Sequence, residues 1–458
     1  MMVDQVIEPA WPIYDTPAGT PVRARQLPGR PGRVSAALAP IALVAGFIAR
    51  GFDGAAGQAC AALLFAALAA IVVVEIDLPA AFWRRLWPPF ALVLLGLAWA
   101  LAVGWWPIGV LPDYALGRAL AQAAALAALL AGAVLGGSAM ARERVVDWLA
   151  ILLTLVTVAG LALFWSGTDA LFGTSVMRDG RFTGLVGNAN VTATISAAVA
   201  LWAAYRLDLH QRLTRRRWLT RRIGFGSVLV VNLLTVSLAA SRLVFIVLAL
   251  ALIGAAIVAA RRAQRGRRRG RGAWAVALAV VLGVSLFAGP LSRRFDTLGD
   301  AWSLRVEMWG HYAVLAGARP LTGYGLGAFP MVNEQSLTDP AFASAVWAVN
   351  SPHNLLLQWL IEGGVPLALA MLAATGLIAL PIGRGMAGRW IAADTALLGM
   401  IGVVVASAMI DLALDLSAVA ALTLFLAGLL WGRATLREII RIAAPIDKPA
   451  RHERPIGG

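Results

Sequence analysis

One histidine and nine basic residues hold most of the chemistry open to this chain. The histidine is His353, in Asn350-Ser-Pro-His-Asn-Leu-Leu-Leu-Gln-Trp-Leu-Ile-Glu-Gly-Gly-Val-Pro366. Ser351 and Pro352 read as a helix cap and a first-turn proline, which puts the imidazole beside a helix N-terminus. That position favours the neutral ring, the form a general base requires. A structural role, with the ring bonded to a loop carbonyl, suits the same place. His311 is distant in sequence, and no His-x-x-x-His or His–carboxylate spacing supports a metal site.

Among the arginines, Arg242 is the most informative, in Ala239-Ala-Ser-Arg-Leu-Val between two apolar runs. A guanidinium near bilayer depth faces a cavity or a partner, or snorkels to headgroup phosphates. Arg305 lies four residues before Trp309, and Arg319 precedes Pro320, where it could cap a helix C-terminus. Arg178 and Arg181 carry weaker signals. Asp411 and Asp415 are four apart, so they either share a helix face and pair with an arginine or mark the end of a span. Glu362-Gly-Gly-Val-Pro366 interrupts an apolar stretch, which predicts a short partial helix and then a crossing from Pro366. The glycines from Gly323 to Gly327 follow no strand and are not a nucleotide fingerprint. Neither a P-loop, a Ser-x-x-Lys nor a Gly-x-Ser-x-Gly is present.

The elements that must position these residues are membrane helices. Sixty per cent of the 458 residues are hydrophobic and 14% are charged, too few for the surface of a soluble chain of this size. Runs such as Phe90 to Val103, Val145 to Phe164 and Leu243 to Ala260 suit a hydrocarbon core about 30 Å thick. Lipid offers backbone groups no partner, so these spans are helices, and the alternation of a membrane β-barrel is absent. The chain reads as an all-α polytopic integral membrane protein of about 12 transmembrane helices. Spans are expected near 34–49, 56–76, 89–106, 115–135, 145–165, 188–205, 223–240, 242–260, 273–289, 354–381, 390–410 and 416–431. They form a transmembrane domain over 34–444, flanked by disordered cytoplasmic tails at 1–33 and 445–458. The single Cys60 excludes an intrachain disulfide.

With these spans, 30 basic residues fall on the side that holds both termini and nine on the other. The positive-inside rule then makes both termini cytoplasmic. It also reads the basic loops at 212–222 and 261–271 as topology determinants touching anionic lipid, not as nucleic-acid sites. The nine external ones are Arg50, Arg118, Arg178, Arg181, Arg242, Arg293, Arg294, Arg305 and Arg319, and each needs a reason to be there. Two external connections are long, near 166–187 and 290–352. In the second, Trp302, Arg305, Trp309 and Tyr312 follow a helical spacing that suits a helix at the membrane interface.

In order along the chain, these segments resemble the O-antigen ligase family, which includes Wzy-type polymerases and exopolysaccharide polymerization proteins. The resemblance rests on Gly184-Leu-Val-Gly-Asn-Ala-Asn190, on Ser241-Arg242 before an apolar helix, and on Arg305-Val-Glu-Met-Trp309 with Pro320-Leu-Thr-Gly-Tyr-Gly-Leu-Gly-Ala-Phe329. It is completed by Pro352-His-Asn-Leu-Leu-Leu-Gln and Glu362-Gly-Gly, and covers roughly residues 180 to 430. Pro366 departs from the family pattern, which continues into the helix without proline. The resemblance implies an enzyme of the bacterial inner membrane, with its site facing the periplasm and no cofactor or metal. It would transfer a glycan from a polyprenyl-diphosphate carrier (undecaprenyl diphosphate in bacteria) to an acceptor hydroxyl, with inversion. The acceptor would be a glycan or the lipid A core, which separates polymerase from ligase. His353 would be the catalytic base, and Arg242, Arg305 and Arg319 would hold the diphosphate through their forked donors. Asn190, Trp309, Asn354, Glu362 and Asp411 would support them. The rival reading is a transporter or channel without transferase activity, which would place its charges at mid-membrane and show repeated halves.

Overall fold

The computed structural model describes residues 32–105, 112–167, 170–171, 174–208, 215–264, 298–347, 349–386 and 392–443. The expected span at 273–289 and the tails up to residue 31 and from 444 lie outside the described residues. Eight helices precede the first long gap: α1 (Arg33–Ile48), α2 (Gly54–Glu75), α3 (Ala80–Trp105), α4 (Pro112–Gly136), α5 (Ala139–Trp165), α6 (Ala189–Asp208), α7 (Arg215–Ala239) and α8 (Arg242–Gln264). Six follow: α9 (Leu298–Ala318), α10 (Phe329–Ser336), α11 (Pro340–Val346), α12 (Leu355–Met386), α13 (Ala392–Ala408) and α14 (Ser417–Ala443). The protein is an all-α polytopic membrane protein. Every expected span other than 273–289 coincides with one of these helices. Among the described residues, seven helices are long and apolar enough to cross a membrane. Helices α1 and α13 are apolar but shorter.

Burial separates the inner helices from the lipid-facing ones. The apolar stretches of α4 and α14 are 67% and 78% buried, against 28% for α2 and α3 and 22% for α12. Inside the membrane, helix association depends on close van der Waals packing, which small residues permit. Helices α4 and α14 meet through two pairs of glycines spaced by four, Gly132 and Gly136 against Gly428 and Gly432. A Cβ on Gly432 would lie 1.8 Å from the Ala133 carbonyl oxygen, and one on Gly132 would lie 2.1 Å from that of Phe425. No larger residue fits without parting the helices.

Two connections depart from plain membrane helix. Between α5 and α6 the chain folds into two short antiparallel hairpins, β1 (Ala170–Leu171) with β2 (Thr174–Ser175) and β3 (Met177–Arg178) with β4 (Arg181–Phe182). Between α9 and α12 a small helical unit has its own core of Met308, Tyr312, Ala316, Phe329, Val346 and Ile361. Tyr312 donates its hydroxyl to Asn333 at 3.0 Å, and Asn333 donates to the Val346 carbonyl at 3.1 Å. The expected interfacial helix is α9. Its Trp302 is half exposed and packs edge-to-face on Trp309, with ring centres 5.7 Å apart.

Candidate functional site

At the end of the bundle where α6 and α12 begin and α13 ends, three polar side chains from separate parts of the chain surround one carboxylate. Helix α13 stops at Ala408, and the chain turns so that the Asp411 amide donates to the Ser407 carbonyl at 2.7 Å. Asp411 is 7% exposed. One carboxylate oxygen accepts from the Leu412 amide at 2.8 Å and lies 3.3 Å from His353 Nδ1. The other accepts from Asn190 Nδ2 and lies 3.9 Å from Arg305 Nη2. Arg305 also donates from Nε to the Ile410 carbonyl at 3.3 Å. Burial alone would push the Asp411 carboxyl above its ordinary value. The contacts with His353, the Leu412 amide and Arg305 outweigh it and hold the carboxyl below its ordinary value.

Of the two readings of their spacing, Asp411 and Asp415 follow the second: they lie past the end of α13 and do not share a helix face. Asp411 occupies a turn and Asp415 ends a 3-10 turn, Ala413–Asp415. Each still meets an arginine: Arg305 for Asp411, and for Asp415 the Nη2 of Arg118, at 2.7 Å. Local spacing does not announce the His353–Asp411 pair either. The dyad is assembled across 58 residues, from α13's exit turn and α12's approach.

His353 is held from two sides. The cap of α12 is Asn354 and not Ser351: its Oδ1 accepts from the Leu356 and Leu357 amides at 3.0 and 3.1 Å. Its Nδ2 donates to the Met409 carbonyl at 3.3 Å, which ties the cap to the turn that carries Asp411. His353 precedes the cap with a positive φ of 52°, a left-handed conformation uncommon for a side-chain-bearing residue. The Ser351 hydroxyl oxygen accepts from the His353 amide at 3.3 Å and donates its proton to Asp415. Behind them Arg118 of α4 spans Asp415 and Glu362, with its Nε 3.5 Å from Glu362. Glu362 also accepts from Gln358 at 2.5 Å. With Nδ1 facing a carboxylate, the imidazole directs its Nδ1–H to Asp411.

The glycine motifs have a steric reason. Helix α12 kinks at Gly364 (φ 65°, ψ −165°), as the expected break before Pro366 required. Against that kink lies the turn from Pro320 to Phe329. Tyr324 and Gly325 donate their amides to the Ile361 and Glu362 carbonyls at 2.8 and 2.9 Å, and Val365 returns one to Pro320 at 2.7 Å. A Cβ on Gly323 or Gly364 would lie 2.7 Å from the facing backbone. The two motifs thus form one interlocked element that seats Glu362.

The remaining arginines differ in placement. Arg181, a weak signal in the sequence, is central: its Nε donates to the Ala239 carbonyl at 2.9 Å and its Nη2 to Asn190 at 2.6 Å. Asn188 caps α6 and so points Asn190 along this edge. Arg242 opens α8 three residues after Ala239 and is half-buried. Arg319 follows the end of α9 and stacks over the Tyr324 ring at 4.7 Å. Arg178 is exposed and lies 3.9 Å from Asp179. In the sequence Arg181 was only a weak signal, and Arg118 was named without a role. The signal for both was their presence among the arginines on the side where positive charge is disfavoured.

Among the described residues, no three His, Cys, Asp or Glu side chains gather as a metal-ligating group. No curated protein matches the chain. Residues 227–372 match the family model described as O-antigen ligase. The matched stretch holds Arg242, Arg305, Trp309, Arg319, His353, Asn354 and Glu362, and it stops short of Asn190 and Asp411. The chain is therefore a multi-helix membrane protein whose residues 227–372 are similar to the O-antigen ligase family.

Proposed function

We propose that this protein transfers a glycan from a polyprenyl-diphosphate carrier to an acceptor hydroxyl at the periplasmic face of the bacterial inner membrane. The observation that carries this reading is the His353–Asp411 pair, 3.3 Å apart, with Arg305 beside the same carboxylate. His353 Nε2 takes the proton from the acceptor hydroxyl as its oxygen bonds to the anomeric carbon. The bond from that carbon to the carrier diphosphate breaks, and its electron pair leaves on the diphosphate. Attack from the side opposite the leaving group inverts the anomeric centre.

The leaving diphosphate gathers negative charge, which fixed guanidinium groups stabilise most where water is excluded. Arg305, Arg242 and, more peripherally, Arg319 hold it. Asn190 and Asp411 orient the base, while Asn354 and Glu362 secure the segment that presents it. Trp309 packs with Trp302 at the edge where a sugar would enter. The acceptor is a second carrier-linked glycan or the sugars of the lipid A core.

The experiment is complementation of a deletion strain with wild type and Arg305→Ala, followed by gels of surface polysaccharide and carrier-linked glycan. Loss of mature polysaccharide with accumulation of carrier-linked glycan is expected. Long accumulated chains identify a ligase and single repeat units a polymerase. A deletion strain with an unchanged glycan profile overturns the transferase reading.

A further inference from the structure

The opposite end of the bundle holds a second charged cluster that glycan transfer does not use. It lies where α5 and α13 begin and where α14 ends. Arg142 of α5 is 0% exposed, and Asp394 of α13 is 3% exposed. Arg142 Nη1 donates to Asp394 Oδ1 at 3.1 Å, and Arg433 Nη1 of α14 donates to the same oxygen. Arg433 is 8% exposed. Arg437, one turn further along α14 and exposed, interacts electrostatically with Asp394 and Arg142. Three guanidinium groups thus share one carboxylate.

The neighbouring acids are already engaged. Glu143 accepts from Arg206 Nη1 at 2.8 Å, and Asp147 accepts from Arg206 Nη2 at 2.6 Å and from Trp202 at 2.9 Å. The Nε and Nη2 atoms of Arg142 are buried and have no hydrogen-bond partner. Buried positive charge in excess of its counter-charge is costly, and buried N–H groups without an acceptor add to that cost. A tetrahedral oxyanion meets both needs, because its oxygens match the guanidinium fork and its charge balances the surplus.

We propose that Arg142, Arg433 and Arg437 form a binding site for a phosphate group. The group approaches past exposed Arg437, meets Arg433, and is held at its inner side by the unbonded edge of Arg142. Either an anionic phospholipid headgroup or free phosphate supplies this chemistry. Basic pockets between membrane helices are established headgroup sites. The inference is independent of the glycan-transfer reading.

The test uses the full chain in nanodiscs of phosphatidylcholine alone, of phosphatidylcholine with phosphatidylglycerol, and of phosphatidylcholine with added inorganic phosphate. The readout is the melting temperature. Wild type should melt at least about 2 °C higher with the ligand, and Arg142→Met should show no rise. A rise with phosphatidylglycerol alone assigns the headgroup, and one with inorganic phosphate assigns the free ion. Arg142→Met keeps the Arg433–Asp394 pair. Should it still fail to fold, Arg437→Gln at the exposed rim decides, with less than half the wild-type rise expected. Equal rises in wild type and variants, or no rise in wild type under either condition, overturn the proposal.

Discussion

Replacing Asp411 with asparagine keeps the shape of the side chain and removes its charge. The native carboxylate accepts from the Leu412 amide at 2.8 Å and from Asn190 Nδ2, faces His353 Nδ1 at 3.3 Å, and lies 3.9 Å from Arg305. An amide has one oxygen for these donors, and its NH2 must face either His353 or Asn190, donor against donor. If the oxygen serves Asn190, the NH2 meets His353 and turns Nδ1 into an acceptor. The ring proton then moves to Nε2, which can no longer receive one from an acceptor hydroxyl. General-base catalysis contributes about 10²- to 10⁴-fold, and 10² corresponds to about 2.7 kcal/mol of barrier. Asp411→Asn should therefore slow transfer by at least about 10²-fold, with donor binding retained. The assay is single-turnover transfer in proteoliposomes, from carrier-linked glycan to acceptor, at matched amounts of folded protein. More than about a tenth of the wild-type rate would refute the orienting role of the carboxylate.

Other consequences follow from the same contacts. Because the Asp411 carboxyl is held below its ordinary value in the folded protein, its stabilising contribution is present above the ordinary carboxylate range. It fades as pH falls from that range through the lowered value of the folded protein, so the melting temperatures of wild type and Asp411→Asn should draw together as pH is lowered from 7 to 3, and a constant gap would contradict this. Gly432→Ala places a Cβ 1.8 Å from the Ala133 carbonyl oxygen and should destabilise the α4–α14 pair by at least about 2 kcal/mol, seen as a lower melting temperature. Arg118→Met leaves Glu362 and Asp415 without their shared cation and should cost about 3–5 kcal/mol. Adding Glu362→Gln should recover part of that loss in a denaturation series, and an additive double variant would show that the buried pair is not coupled.

The membrane helices were legible because lipid leaves backbone groups no other solution, so hydropathy alone located α2, α3 and α5. Helix α6 is less apolar, since Asn190, Thr192, Thr194 and Ser196 dilute its hydropathy while serving contacts inside the protein, yet the expected span at 188–205 falls on it. The arginines of the site were visible as a group, through their excess on the disfavoured side. Which of them mattered was not visible. Arg118 meets Asp415 across 297 residues, and Asn190 meets Asp411 across 221. No local pattern encodes such pairs, and only the packing of α4, α6, α12 and α13 brings them together. The cap of α12 shows a smaller limit: Ser351, Pro352 and Asn354 all suit a helix start, and the bonds from Asn354 to Leu356 and Leu357 decide between them.

The most direct test of the general-base assignment is transfer by purified His353→Ala with carrier-linked glycan and acceptor. Donor binding is measured on the same sample. Normal donor binding is expected, with transfer lowered by at least about 10²-fold. Transfer at a rate close to wild type, in a protein that folds and binds donor, would contradict it.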